Sequence, residues 1–575
     1  MLKLFRFLKP FTITILFILV FMFGQAMAEL YLPTLMSDVV NNGMMNGDTR
    51  YILKYGAFML MVALASSICS ILGSLLSARA AVGFGRDLRD KVFTRVESYS
   101  LHEFDKIGTA SLITRTTNDI TQIQTVLVMM FRFLIYAPIM CIGGIIMALS
   151  KDKTLTILLA VVLPLLIVTI CILAGIVVPY FKELQKKLDK LNLVLRESLI
   201  GIRVIRAFNR LEIEKRRFED TNRDLTDTSI RVNKIMAAMQ PIMMIFMNIT
   251  TVAIIWFGGL RINENQMQIG DMMAFLQYAM QIMFSLIMVS MMYVMVPRAQ
   301  ASAVRINEVL DMEPEIIDPE QAQKPVKKRG YVEFKNVTFS YPGAEQPAIS
   351  NITFAASPGE TTAIIGGTGS GKSTLISLIA RFYDVDSGSV LVDGKDVREL
   401  TQKDLRAKIG FVPQTAVLFS GTIAENIRYG KEDATDEEVR HAAEVAQASE
   451  FISGMKDGYN SVIAQGGTNI SGGQKQRLSI ARALVRRPEI YVFDDSFSAL
   501  DFKTDARLRA ALKKETDDAT VIIIAQRVST VMDADRIIVL DEGEVVGIGA
   551  HRALLKTCGV YREIVSSQLS EEEIA

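Results

Sequence analysis

The chain changes character a little past its midpoint. Up to about Val296 it is a series of long apolar runs separated by charged stretches, and from Tyr331 onward short apolar runs alternate with amphipathic ones. Six early runs are long enough to cross a bilayer: about Phe11–Leu32, Tyr55–Ala78, Val126–Leu149, Leu155–Val178, Ile235–Phe257 and Met272–Val296. Roughly 20 apolar residues suffice to span the hydrocarbon core. The segment between the second and third runs carries Arg79, Arg86, Arg89, Lys91, Arg95, Lys106 and Arg115; the one between the fourth and fifth carries Lys182, Lys186, Lys187, Lys190, Arg196, Arg203, Arg206, Arg210 and Lys215–Arg217. The other connections are short and poor in Lys and Arg. Basic loops stay on the cytoplasmic side, so the pattern predicts a multi-pass protein of the cell membrane with N- and C-termini in the cytoplasm. The expected organisation is a transmembrane domain at 1–311 with six helices and long cytoplasmic extensions, a Glu/Pro/Lys-rich linker at 312–330, an α/β domain at 331–569 and an acidic tail at 570–575.

Composition agrees with that division. A chain of 575 residues exceeds one core. It is 50% hydrophobic with mean hydropathy +0.28, yet 22% of residues are charged, as expected of membrane spans joined to a soluble domain. A net charge of +1 gives no electrostatic ground for nucleic acid as a partner. Of the four Cys, Cys69, Cys141 and Cys171 lie in apolar runs, Cys558 lies apart, and none has metal-ligand spacing. Lys3, Arg6 and Lys9 before an apolar run, with Ala26-Met27-Ala28 after it, have the form of a secretory signal. The run Phe11–Leu32 is longer than a signal core, so a first membrane helix is expected instead.

The second half carries a phosphate site. Gly366-Gly367-Thr368-Gly369-Ser370-Gly371-Lys372-Ser373 fits G-x-x-x-x-G-K-[ST]. It follows the apolar run Thr362–Ile365 and precedes a helical pattern from Thr374. Glycines let the backbone wrap an anion, and the amides and the helix N-terminus bind it. Lys372 is expected at the β- and γ-phosphates of ATP, and the Ser373 hydroxyl at Mg²⁺. Asp494, ending the apolar strand Ile490–Phe493, is the second expected Mg²⁺ ligand. Alone it would be read as a cap or turn residue.

Ile470-Ser471-Gly472-Gly473-Gln474-Lys475-Gln476-Arg477 resembles the LSGGQ signature of ABC transporters, and with six spans and one nucleotide domain the whole chain resembles an ABC exporter half-transporter. The resemblance implies an α-helical six-span transmembrane domain fused to an α/β P-loop nucleotide-binding domain of ABC type, with ATP and Mg²⁺ as cofactors. It also implies that Tyr341, before Pro342-Gly343, stacks on adenine, and that Gln414, in Phe411-Val412-Pro413-Gln414, is the Q-loop residue and a Mg²⁺ contact. Asp501, in Ser498-Ala499-Leu500-Asp501, falls in the D-loop. Thr374 completes the phosphate cradle, and Ser471, Gly472, Gly473 and Gln474 contact the nucleotide held by a partner.

The departures carry as much. Asp495 stands where the family normally has Glu, and Gln526 where it has the switch His. The three His of the chain, His102, His441 and His551, all lie elsewhere. Gln465, in Ala464-Gln465-Gly466-Gly467, replaces a Glu of related exporters. Asp495 is a methylene shorter than Glu, and an amide cannot shuttle a proton, so the expectation is good Mg-ATP binding with poor hydrolysis. ABC domains pair head to tail, so the intact signature serves the opposite site. The expected partner is a second half-transporter with the Glu and His in place, and the pair resembles bacterial heterodimeric multidrug exporters. The alternatives are an active homodimer, a lipid flippase, or an ATP-gated membrane protein that does not pump. Six apolar spans exclude a soluble ABC ATPase.

Gln25, Glu29, Arg132, Gln240, Asn248, Gln277 and Gln281 sit inside apolar runs, and the last two spans are rich in Met: Met236, Met239, Met243, Met244, Met247, Met280, Met283, Met288, Met291, Met292 and Met295. Thioethers suit a cavity for varied apolar shapes, and equally suit core or lipid-facing positions. Glu29 and Arg132 fit either a substrate path or an interfacial position. Hydrophobic small molecules and membrane lipids are the expected further partners. Phe104–Ile113 and Phe208–Asp220 match the places of coupling helices in exporters.

Overall fold

The computed structural model of the chain describes residues 1–320 and 330–569. Residues 321–329 of the linker at 312–330, and the acidic tail 570–575, lie outside the described residues. The chain divides into two compact units, one of Met1–Glu97 with Thr109–Met312 and one of Ser98–Gly108 with Glu313–Ala575.

The first unit is helical. Its long helices are α1 (Thr12–Asp38), α2 (Thr49–Glu97), α3 (Ile120–Lys151), α4 (Lys153–Ile200), α5 (Leu211–Asn263) and α6 (Ile269–Asp311). Each of the six holds a stretch apolar and long enough to cross a membrane. At 1.5 Å per residue the 49 residues of α2 run roughly 70 Å, against about 30 Å of hydrocarbon, so the basic segments continue the helices instead of forming loops. The polar starts fit the pattern: Asp152 caps α4 by accepting from the amides of Thr154 and Leu155. Pro33, Pro138, Pro164, Pro179, Pro241 and Pro297 lie inside helices, as membrane helices tolerate.

Helices α3 and α6 pack along each other, as do α1 with α2 and α4 with α5. Polar pairs tie the ends. Lys151 contacts Asp271 at 2.8 Å and Ser37 at 3.1 Å, and Arg261 contacts Asp152 at 2.8 Å. Asp119 accepts from Arg305 Nε at 2.8 Å and from Ser302 at 2.9 Å. The short helix after α4 is Ile202–Ala207. Phe208–Arg210 is a turn, with Asn209 at φ 53°, a left-handed residue that ends the preceding helix. That short helix lies just before Phe208–Asp220, the stretch matched to a coupling helix, of which Phe208–Arg210 is the turn and Leu211–Asp220 opens α5.

The second unit is α/β. Its strands are β1 (Val332–Phe339), β2 (Ile349–Ala356), β3 (Thr361–Gly366), β4 (Ser387–Val392), β5 (Lys395–Asp396), β6 (Ile409–Val412), β7 (Gly421–Thr422), β8 (Val462–Ile463), β9 (Ile490–Asp494), β10 (Thr520–Ile524), β11 (Arg536–Asp541) and β12 (Glu544–Gly549). One sheet has the order β2-β1-β4-β5, the main sheet β12-β11-β3-β10-β9-β6, and β7 pairs with β8. In the main sheet β6, β9, β10, β3 and β11 are parallel and only the edge strand β12 is antiparallel. Strands buried on both faces should read as unbroken apolar runs, and Ile490–Asp494 and Thr520–Ile524 are buried at every position. The carboxyl ends of β3, β9 and β10 lie side by side, as the pairings Ile524 with Ile364 and Ile524 with Asp494 require. Open parallel sheets place their ligands at such ends. Ser98–Gly108 joins this unit through Glu103, which closes a capping box with Ser100 and accepts from the Glu315 amide at 3.2 Å.

Candidate nucleotide site

The phosphate loop begins where β3 ends and closes on α7 (Lys372–Ile379). Gly369 (φ 84°) and Gly371 (φ 91°) hold left-handed conformations, which cost glycine little and other residues much. A Cβ on Gly371 would also strike Ile349 and Ala348. Around Gly367 and Gly369 the space is open to 4 Å. Lys372 Nζ donates to the carbonyls of Gly366 at 2.9 Å and Gly367 at 2.5 Å. Burial holds its pKa below the usual lysine range, against the pull of Asp495 and Asp494. Ser370 and Thr374 are buried beside it.

Ser373 Oγ donates to Asp494 Oδ1 at 3.2 Å, so the loop hydroxyl and the strand-end carboxylate meet across 121 residues. Burial raises the Asp494 pKa above 3.8, and the Ser373 hydrogen bond opposes the rise. Asp495 follows at φ 44°, a left-handed position for a residue with a Cβ. Its amide donates to the Ile524 carbonyl at 2.9 Å, and its Oδ2 accepts from Gln414 Nε2 at 3.4 Å. Gln414 thus sits on Asp495, and the hydroxyl of Ser373 sits on Asp494.

Tyr341 lies 33 residues from Thr374 and reaches its hydroxyl at 3.1 Å. Its ring stands edge-on to Phe339 (5.1 Å) and Tyr383 (5.5 Å) and is 39% exposed, so one aromatic surface is held rigid beside α7. The signature opens α8 (Gly472–Leu484): Ser471 is its N-cap and forms a capping box with Gln474. The box closes on itself, and none of its bonds reaches the phosphate loop of the same chain. Asp501 caps α9 (Phe502–Glu515) by accepting from the Thr504 amide at 3.0 Å, and these bonds hold its carboxyl below the usual range. Gln465 is exposed in a turn whose Gly466 carbonyl accepts from Lys475 at 2.8 Å. Gln526 lies two residues past β10, exposed, and no hydrogen bond is found for its side chain among the described residues.

This geometry brings together the two carboxylates, the phosphate loop, Tyr341 and Gln414. It leaves Asp501 and Ser471–Gln474 apart. Two family patterns fit the chain: the ABC transporter transmembrane region over residues 15–286 and the ABC transporter domain over 349–498. An ABC transporter ATP-binding protein of Mycobacterium tuberculosis (strain CDC 1551 / Oshkosh), called uncharacterized, is 43% identical over 565 residues, 98% of this chain and 97% of the relative.

The chain belongs to the ABC transporters.

This transporter is an exporter-type half-transporter, a multi-pass membrane protein with one ATPase domain coupled to transport. A second relative, YfiB of Bacillus subtilis (strain 168), is 38% identical over 99% of both chains. An ATP-dependent lipid A-core flippase of Syntrophus aciditrophicus (strain SB) is 31% identical over 90% of this chain and 85% of its own. Among solved structures, a bacterial Atm1-family ABC exporter with ATP bound superposes with TM-score 0.81 at 25% identity, covering 98% of this chain and 99% of that one.

Sequence reasoning missed several residues of the ABC domain. Gln476 is buried and donates to the Pro413 carbonyl at 3.2 Å, tying the signature helix to the segment of Gln414. Arg527 donates to the Ser498 carbonyl at 3.1 Å, and the Ser498 hydroxyl donates to the Asp495 carbonyl at 2.8 Å. The bonds of Gln476 and Arg527 join segments 63 and 29 residues apart and leave no local pattern, whereas the Ser498 bond spans three residues.

Proposed function

We propose that this chain is the ATP-binding, weakly hydrolysing half of a heterodimeric exporter of hydrophobic or amphipathic small molecules, acting in the cytoplasmic membrane with both termini in the cytoplasm. The observation that carries the reading is the pairing of an intact phosphate cradle with Asp495 and Gln526 at the two positions that act on the attacking water and the γ-phosphate.

The residues fit ATP and its metal. The phosphate loop leaves open room beside Gly367 and Gly369, and Ser373 and Asp494 present two facing oxygen donors, the ligand type Mg²⁺ prefers. They would hold the ion, with Gln414 nearby, and the ion would neutralise phosphate charge. Lys372 exchanges its two carbonyl contacts for the phosphates. Gly366–Gly371 and the start of α7 bind phosphate through their amides, Thr374 closes the cradle and Tyr341 stacks on the base. Asp495 is a methylene too short. A displacement of about 1 Å can cost roughly 10²-fold, and a missing general base costs about 10²–10⁴. Ser471, Gly472, Gly473 and Gln474 complete the site on the partner, where Glu and His are expected, and Asp501 serves the same junction. ATP binding closes the pair and hydrolysis, mainly at the partner's site, resets it.

For the cargo, spans α3, α5 and α6 border an open-sided cavity of about 380 Å³ lined by Met140, Met247, Met280, Met288, Phe284 and Gln281 among others. Beside it Glu29 accepts from Gln25 at 2.9 Å and from Tyr136. Thioether walls with a few polar groups suit varied amphipathic molecules. Gln240, Asn248 and Gln277 are exposed away from that set, Arg132 lies over Phe133 at 5.7 Å, and the side chains of Met291 and Met292 lie outside the described residues. A lipid cargo is the second reading, favoured by the flippase relatives.

The test is ATPase activity of the chain co-expressed with a half-transporter carrying Glu and His. Activity that disappears when the partner's Glu is removed, and persists when Asp495 is replaced, supports the assignment. Loss on replacing Asp495 overturns it.

A further inference from the structure

The loop that carries Gln526 is held from the far end of the chain. After β10 the backbone passes through Gln526 and Arg527 into the one-turn helix α10 (Val528–Val531), whose N-cap Arg527 gives no side-chain cap. The Val528 amide is therefore one of the orphan donors of a helix start. Gln568 Oε1 accepts from it at 2.8 Å, and Gln568 Nε2 donates to the Gln526 carbonyl at 2.8 Å. One side-chain amide thus pairs with a donor and an acceptor two residues apart, as a neighbouring strand would.

The amide is well placed for this because its base is rigid. Two short helices, α11 (His551–Thr557) and α12 (Gly559–Ser566), end the described chain. Leu554, Tyr561 and Val565 are 1%, 0% and 0% exposed in the core of the ABC domain, and His551 Nδ1 meets the Tyr561 hydroxyl at 2.7 Å. Gln568 itself is exposed, so it contributes little packing. The same loop is tied on its other sides by Arg527 to the Ser498 carbonyl and by Arg509 to the Ser529 carbonyl at 2.9 Å. The Ser498 tie continues to the Asp495 carbonyl.

We infer that Gln568 is a positioning residue for the nucleotide site: its amide fixes the backbone from Gln526 to Val528, and so sets where Gln526 stands relative to a bound γ-phosphate. This deepens the proposed function and rests on its placing of Gln526 at the γ-phosphate.

The test uses the full-length chain in nanodiscs. Gln568→Met keeps the length of the side chain and removes both hydrogen bonds; Gln568→Ala guards against a fault peculiar to Met. The first readout is amide hydrogen exchange. The expected result is faster exchange of the Val528 amide by about five-fold or more, the worth of one net hydrogen bond, with Val521–Ile524 unchanged. The second is titration with Mg-ATP. Gln568→Met should weaken binding about five-fold, with no change in melting temperature, and should have no further effect in a Gln526→Ala background. Unchanged exchange at Val528 overturns the latch. Faster exchange with unaltered Mg-ATP binding, or equal weakening in both backgrounds, overturns the positioning role. The exchange result needs no nucleotide, so it stands or falls separately from the weak-hydrolysis reading, which is judged on the wild-type chain.

Discussion

The two sides of the nucleotide site follow different rules. On the β3 side the phosphate loop keeps every group that binding asks for: two left-handed glycines, Lys372 folded onto the loop, and Ser373 in contact with Asp494. On the β9–β10 side the strands Ile490–Asp494 and Thr520–Ile524 are buried at every position. Only the two side chains at its tips depart, Asp495 and Gln526. The difference teaches that the fold constrains where groups stand far more than which reaction they perform. The two tip residues differ from the family's usual Glu and His on a sheet whose strands remain fully buried.

The largest expected effect comes from restoring the β9–β10 side. Asp495→Glu with Gln526→His should raise phosphate release by the chain alone about 10²–10⁴-fold, read by a coupled phosphate assay. No gain would break the comparison, since the deficit would then lie outside those two tips. Next, Lys372→Ala removes the charged contact on the intact side and should weaken Mg-ATP binding by about 10²-fold, measured by titration of the purified chain. Tyr341→Ala should weaken it by about two- to ten-fold, the range of an aromatic contact, and least for a triphosphate lacking a base. The smallest effect is in pH. Burial raises the Asp494 pKa above 3.8, so protonation begins at a higher pH than for an ordinary aspartate. A protonated carboxyl is a poor Mg²⁺ ligand, so the Mg²⁺-dependent part of ATP binding should be lost on acidification from that higher pH, and restored on raising it. Asp494→Asn should remove this contribution to the pH dependence, leaving that of the nucleotide's own phosphates.

How much of this was legible depended on the distance over which each feature is specified. The phosphate loop and the signature Ser471–Gln474 are local, and their residues are contiguous in the chain. The spans are legible because a bilayer asks only for length and apolarity. The helical continuity of the basic segments, such as α2 reaching Glu97, was not marked by any breaker and was read as a loop. The membership of Ser98–Gly108 in the second unit rests on long-range contacts, among them that of Glu103 with Glu315, 212 residues apart. The positions of Gln414 on Asp495, Gln476 on Pro413 and Gln568 on Gln526 and Val528 are hydrogen bonds of glutamine amides across 40 residues or more. Such bonds are set by tertiary packing alone, and an exposed Gln near a chain end carries no sign of them.

The measurement that bears most directly on the central claim is made on the wild-type chain alone, in nanodiscs, with Mg-ATP at saturation: bound nucleotide and released phosphate are followed in the same sample. The account predicts retained ATP with phosphate release far below that of a working exporter. Rapid, sustained release by the chain alone would contradict it, and would make an active homodimer the better description.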